Sequence, residues 1–124
     1  MKYISQIMLF LFILLFLSNK SNAQDAVKVD PEHYKVEFEN DQVRVLRITY
    51  GPGEKSVMHS HSEGVVVELT DGTTKMTFPD GTSKEMSSKA GDVGWAPAGK
   101  HQPENLSDKP FEVIQIELKT KKEN

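Results

Sequence analysis

The sequence predicts an all-β domain, an antiparallel sandwich or barrel, once its first 23 residues are set aside. Three observations carry this. From residue 24 onward there are eleven Val against four Leu, and branched side chains lose χ1 freedom in a helix but pack well on a pleated face. No window after residue 23 keeps a helical period for three turns. Turn-forming residues recur about every ten positions, the spacing of short strands joined by tight turns.

The elements follow in order. Residues 24–33 are polar, contain Pro31 and read as an N-terminal arm. Tyr34 to Glu39 alternates, with Val36 and Phe38 expected on one face; Asn40-Asp41 is a turn signal. Val43 to Tyr50 is the next strand, ended by Gly51-Pro52-Gly53. Val57 to His61 is a short strand. Val65-Val66-Val67, led in by Gly64, is a continuous apolar run that predicts burial on both faces. Asp71-Gly72 is a hairpin signal. Lys75 to Phe78 and Thr82 to Met86 flank the turn Pro79-Asp80-Gly81. Asp92 to Ala96 and Phe111 to Leu118 complete the domain, which spans residues 34–118; residues 119–124 are a charged, loose tail. Trp95, Tyr50, Phe78 and Phe111 are expected in the core, because aromatic residues dominate the cores of small domains.

The first residues have another character. Ile7 to Leu17 are eleven consecutive apolar residues behind Met1-Lys2, followed by Ser21-Asn22-Ala23. A spanning helix needs ~20 apolar residues, whereas a basic start, a short apolar run and small residues before a break make a secretory signal. Residues 1–23 are therefore expected to be a signal peptide cleaved after Ala23, leaving no membrane anchor and placing the protein in the periplasm or outside the cell. Cleavage removes Lys2 and Lys20 and leaves 13 basic and 18 acidic side chains, a mature charge of −5. That balance offers no basic patch for nucleic acid. With no Cys in the chain, a disulfide scaffold, a thiolate metal site, a Cys nucleophile and a lipid-modified N-terminal Cys are all excluded.

The histidines carry the functional signal. His59 and His61 are two apart, so on a strand both imidazoles project to one face, where neutral nitrogens can bind a divalent metal. His101 lies forty residues on, after Pro97-Ala98-Gly99-Lys100, and a neighbouring strand could set it opposite that pair. Three imidazoles with open positions make a reactive centre rather than a closed structural one. His33 is expected at the surface.

Gly53, five residues, then His59-Ser60-His61 resembles the first half of the first cupin motif, and Gly91, five residues, Pro97-Ala98-Gly99, His101, three residues, Asn105 resembles most of the second. The resemblance covers residues 43–118. It implies a double-stranded β-helix, a small jelly-roll barrel, with a divalent metal (Zn, Fe, Mn, Cu or Ni) held inside by His59, His61 and His101. It also implies a homodimer. Two departures stand out. The family's Glu, four or five residues after the second His, is replaced by Val65 and Val66, and the second motif has one residue fewer between Gly99 and His101. Glu68 alternates with Val66. It therefore reads as a displaced ligand or as a catalytic general base with a raised pKa if Val66 faces inward, and as a solvent-facing residue if the strand is offset. Glu63, in the turn before Gly64, is the weaker candidate. A three-histidine centre with no carboxylate, as in the cupin-like thiol and diketone dioxygenases, is the third option.

Three functions follow as expectations: a metal-dependent enzyme of oxygenase, isomerase or lyase type acting on a small-molecule substrate; a non-catalytic cupin binding a small ligand or sugar; and a metal-free dimer module. Fold does not choose among them.

Overall fold

The computed structural model describes residues 24–120. The expected signal peptide lies outside these residues, as does the end of the tail. One helical turn, α1 (Ala26–Val29), precedes nine strands: β1 (Tyr34–Glu39), β2 (Val43–Tyr50), β3 (His59–His61), β4 (Gly64–Glu68), β5 (Gly72–Thr77), β6 (Ser83–Ser88), β7 (Val93–Ala96), β8 (Gly99–Asn105) and β9 (Phe111–Leu118). They form a five-stranded sheet in the order β1-β2-β9-β4-β7 and a four-stranded sheet in the order β3-β8-β5-β6. The pairs within both sheets are antiparallel. The sheets face one another, as the contacts of Tyr34 on β1 with His59 and His61 on β3 show. The expected all-β barrel is present.

Turn chemistry explains much of the layout. Asn40 accepts from the backbone N–H groups of Gln42 and Val43 and so closes the β1–β2 hairpin. Asp80 does the same for Thr82 in the β5–β6 hairpin. Asp71-Gly72, expected to be a hairpin, is instead the crossover between sheets, since β4 pairs with β7 and β9 while β5 pairs with β6 and β8. The motif glycines Gly53 and Gly91 sit at φ 71° and 91°, in the left-handed region that residues with a Cβ avoid.

The core is built mostly from the inner face of β1, β2 and β9: Tyr34, Leu46, Ile48, Tyr50, Phe111 and Val113, with Ala26 of α1. Burying each of the larger apolar side chains stabilises the fold by ~1.5–3 kcal/mol. Direct pairing shows which faces continue across the sheet. Arg44, Leu46, Ile48 and Tyr50 stand opposite Glu117, Gln115, Val113 and Phe111, and Gly64, Val66 and Glu68 stand opposite Glu117, Gln115 and Val113.

Several expectations about packing need correction. A bulge between Val36 and Phe38 sets Val36 opposite the buried Leu46 and Phe38 opposite Val45, so the two do not share a face. Phe38, Val45, Ile116, Val65 and Trp95 then form one row across all five strands on the outer face. The Val65-Val66-Val67 run is only half-buried, with Val66 alone packed on the core. Tyr50 and Phe111 are core residues, whereas Trp95 and Phe78 are exposed. The N-terminal arm, residues 24–33, docks on the barrel: Ala26 is fully buried, and the Gln24 carbonyl accepts from the Ser60 N–H at 3.0 Å.

Candidate metal centre

Strand register brings the three histidines together. His59 and His61 share the inner face of β3, and antiparallel pairing with β8 sets His101 directly opposite His59, with Gly99 opposite His61. One ligand nitrogen from each ring lies within 4.8 Å of the others. Ring centroids are 4.6–5.0 Å apart. His59 and His61 are buried and His101 is partly buried. The shortened turn before His101 does not remove it from the cluster.

Hydrogen bonds fix which nitrogens are free. His59 Nδ1 is 2.7 Å from the Val57 carbonyl oxygen, which can only accept, so Nδ1 carries the proton. His61 Nδ1 donates to Glu117 Oε1 at 3.0 Å. His59 Nε2 is thus the unprotonated nitrogen of its neutral ring, and it lies 2.8 Å from His61 Nε2. With His101, these rings would hold a divalent metal ion through one nitrogen each. The Tyr34 hydroxyl, itself bonded to Tyr50, lies 3.0 Å from His59 Nε2 and is the neighbouring donor.

Electrostatics keep the rings in the ligand form. Burial, and then the neighbouring His61, push the His59 pKa down to about 4. Burial, and then His61 and His59, push His101 down to about 3. Both rings are neutral at physiological pH, as ligation requires. Neutral imidazole donors with open positions suit Zn, Fe, Cu or Ni, so the residues present fit a divalent transition metal.

Glu117 is the functional residue that sequence reasoning missed. Its carboxylate is buried, holds His61 with one oxygen and takes the Arg44 Nε at 2.8 Å with the other. A carboxylate behind a ligating His fixes its tautomer and raises its basicity. The signal was present but mute: Gln115 and Glu117 alternate with Phe111 and Val113 on one face, and polar residues on a core face point to a buried polar site.

The other candidates fall elsewhere. Glu68 does face the barrel interior, opposite Val113, but it is four residues along β4 from Gly64, ~13 Å in strand rise. Its neighbours are Ser88 and Asp92, and it is not among the clustered metal-binding groups of the described residues. The displaced-ligand reading is therefore not supported. Burial, reinforced by Asp92, raises its pKa, and one of its buried oxygens has no hydrogen-bond partner among the described residues. Glu63 is exposed. His33 is not the surface residue expected: it stacks on Tyr50 and bridges Asp30 at 2.8 Å and Glu54 at 2.9 Å. Asn105 is structural, its amide donating to the carbonyls of Tyr50, Gly51 and Lys109.

Comparison with solved structures gives a consistent picture. A cupin domain from Bordetella pertussis Tohama I is 31% identical, with a TM-score of 0.66 over 70% of this chain and 92% of that one. A double-stranded β-helix protein from Klebsiella pneumoniae is 20% identical, with a TM-score of 0.55 over 83% of this chain and 90% of that one. A cupin superfamily protein from Desulfitobacterium hafniense is 19% identical, with a TM-score of 0.53 over 70% of this chain and 76% of that one. No protein-family model and no curated protein matches the sequence.

Proposed function

The chain belongs to the cupin superfamily, and from that premise we propose that His59, His61 and His101 hold one divalent transition metal (Zn, Fe, Mn, Cu or Ni) in an exported, metal-dependent enzyme acting on a small molecule. The observation that carries the reading is the convergence of one ring nitrogen from each of the three histidines within 4.8 Å, with both β3 rings oriented by hydrogen bonds from behind. When bound, the metal supplies Lewis acidity or redox chemistry at open coordination positions. The oxygenase, isomerase and lyase classes all fit that description.

The chain's own residues have separable tasks. Val57 and Glu117 orient the two rings of β3. Tyr34, buried beside His59, presents its hydroxyl toward the same space. Glu68 is the proposed general acid/base, working from farther along the interior face, where burial favours its protonated form. This role makes a distinction: Glu68→Gln leaves metal content unchanged and lowers turnover.

Elemental analysis of the purified protein, beside His59→Ala and His101→Ala, tests the reading. We expect about one metal per chain in the wild type and loss of it in both variants with the fold kept. Metal content indifferent to both substitutions contradicts it. A protein that holds its metal and a small ligand but turns nothing over is a binder instead. Export rests on the pattern of residues 1–23 and is tested by the N-terminal sequence of the secreted protein, expected to begin at Gln24.

A dimer is a second reading, favoured by the outer apolar row on the five-stranded sheet. Its ends, Phe38 and Trp95, are 54% and 55% exposed. The charges beside it are already neutralised within the chain, since Arg47 pairs with Glu37 and Glu112. A second copy is the proposed occupant of this row. Sedimentation should show a dimer that Trp95→Glu converts to monomer; a monomeric wild type at high concentration removes this reading.

A further inference from the structure

We propose that Asp25 and Arg44 are positioning residues of the metal centre, linking the docked N-terminal segment to His61 through Glu117. The inference rests on the metal reading above but is carried by different residues. The Arg44 guanidinium is held on two sides. Its Nη1 and Nη2 donate to the two Asp25 carboxylate oxygens at 2.7 Å each. Its Nε and Nη2 reach Glu117 Oε2 at 2.8 and 2.7 Å. Glu117 Oε1 is thereby left for His61 Nδ1.

The logic lies in how three charges share one fork. With both outer nitrogens engaged by Asp25, Arg44 offers Glu117 one oxygen's worth of contact. Without Asp25, the guanidinium is free to rotate and take both oxygens of Glu117 in the parallel geometry it prefers with carboxylates. That rotation competes for Oε1. It also draws charge from the acceptor that holds the His61 ring. Asp25 therefore protects the Glu117–His61 bond from Arg44, while Arg44 offsets the cost of burying Glu117.

The same N-terminal segment meets the other ligand of β3. Asp25 forms a parallel bridge with Ser60, the residue between the two histidines. Asp30 accepts from the Ser56 hydroxyl at 2.5 Å, and Ser56 Oγ lies 3.3 Å from His59 Nδ1. Ala26, fully buried, anchors the turn between these contacts. A segment read from sequence as a lead-in arm thus touches the support of both His59 and His61, so its docking and metal affinity are coupled.

Cobalt(II) titration, followed by its visible bands, together with the NMR signal of the His61 Nδ1 proton in metal-free protein, provides the test. Asp25→Asn keeps the shape of the side chain and removes its charge. It should weaken cobalt binding about three- to tenfold, less than the ~10–100-fold of losing a direct partner of a ligand. The His61 proton should shift toward the position of a weaker hydrogen bond, and Asp25→Glu should restore both readouts. Wild-type cobalt affinity with an unmoved His61 proton in Asp25→Asn overturns the proposal. Should Asp25→Asn fail to fold, Arg44→Lys, which keeps a charge but not the fork, is read for the same proton shift. Absence of cobalt uptake by the wild type defeats the metal reading, and the relay still stands or falls on the His61 proton.

Discussion

Glu117 and Glu68 stand on neighbouring strands, β9 and β4, and both face the barrel interior. Glu117 is nearly enclosed, yet both its oxygens are engaged, one by His61 and one by Arg44. Glu68 is less buried, but one oxygen is orphaned and Asp92 faces it with a like charge. Alternation along a strand decides only inside against outside. Position along the strand decides the partner, and the partner decides whether a buried carboxylate stabilises or costs.

Substituting each glutamate by glutamine sharpens the contrast, and the largest effect is expected at Glu117. Glu117→Gln should weaken metal binding ~10–100-fold, since a neutral amide is a poorer support for a ligating His. Glu68→Gln should leave the dissociation constant unchanged. Isothermal titration of both variants checks this, and equal losses would erase the distinction between the two sites.

A smaller effect separates them by pH. Because the folded pKa of Glu68 is raised, its favourable contribution is complete below the unfolded value near 4.3 and is lost as pH rises through the folded value. Glu68→Gln should then raise Tm by roughly 2–4 °C near pH 7 and by nothing near pH 3.5. A variant less stable than the wild type at neutral pH would mean Glu68 is supported after all.

The smallest effect belongs to His33, outside the barrel interior. Burial opposes its charged form, but the hydrogen bonds to Asp30 and Glu54 outweigh it and raise the pKa. The bridge contributes fully below about pH 6.5 and is lost as pH rises through the raised folded value. His33→Gln should therefore lower Tm near pH 5.5 more than near pH 9. A loss of the same size at both pH values would assign the effect to stacking on Tyr50 alone.

Where the chain is locally consistent, the sequence was readable. The bounds of β1, β2 and β9 follow from branched and aromatic residues between turn formers, and His59, His61 and His101 from motif spacing. Strand β8 was not legible: Gly99 to Asn105 contains a Pro, a Gly and no β-branched residue, and it is made a strand by pairing with β3 on one side and β5 on the other. Glu117 was hidden for a related reason. Which face of β9 is inner depends on two long-range pairings, with β2 and β4, that no local pattern encodes. The exposure of Trp95 marks the limit of composition arguments, because an edge strand can turn a large aromatic outward.

X-ray absorption on the zinc-loaded protein tests the central claim most directly. The account predicts one zinc per chain with three imidazole nitrogens at about 2.0–2.1 Å, falling to two on His101→Ala. Zinc bound without imidazole scattering, or a coordination shell unchanged by that substitution, would contradict it.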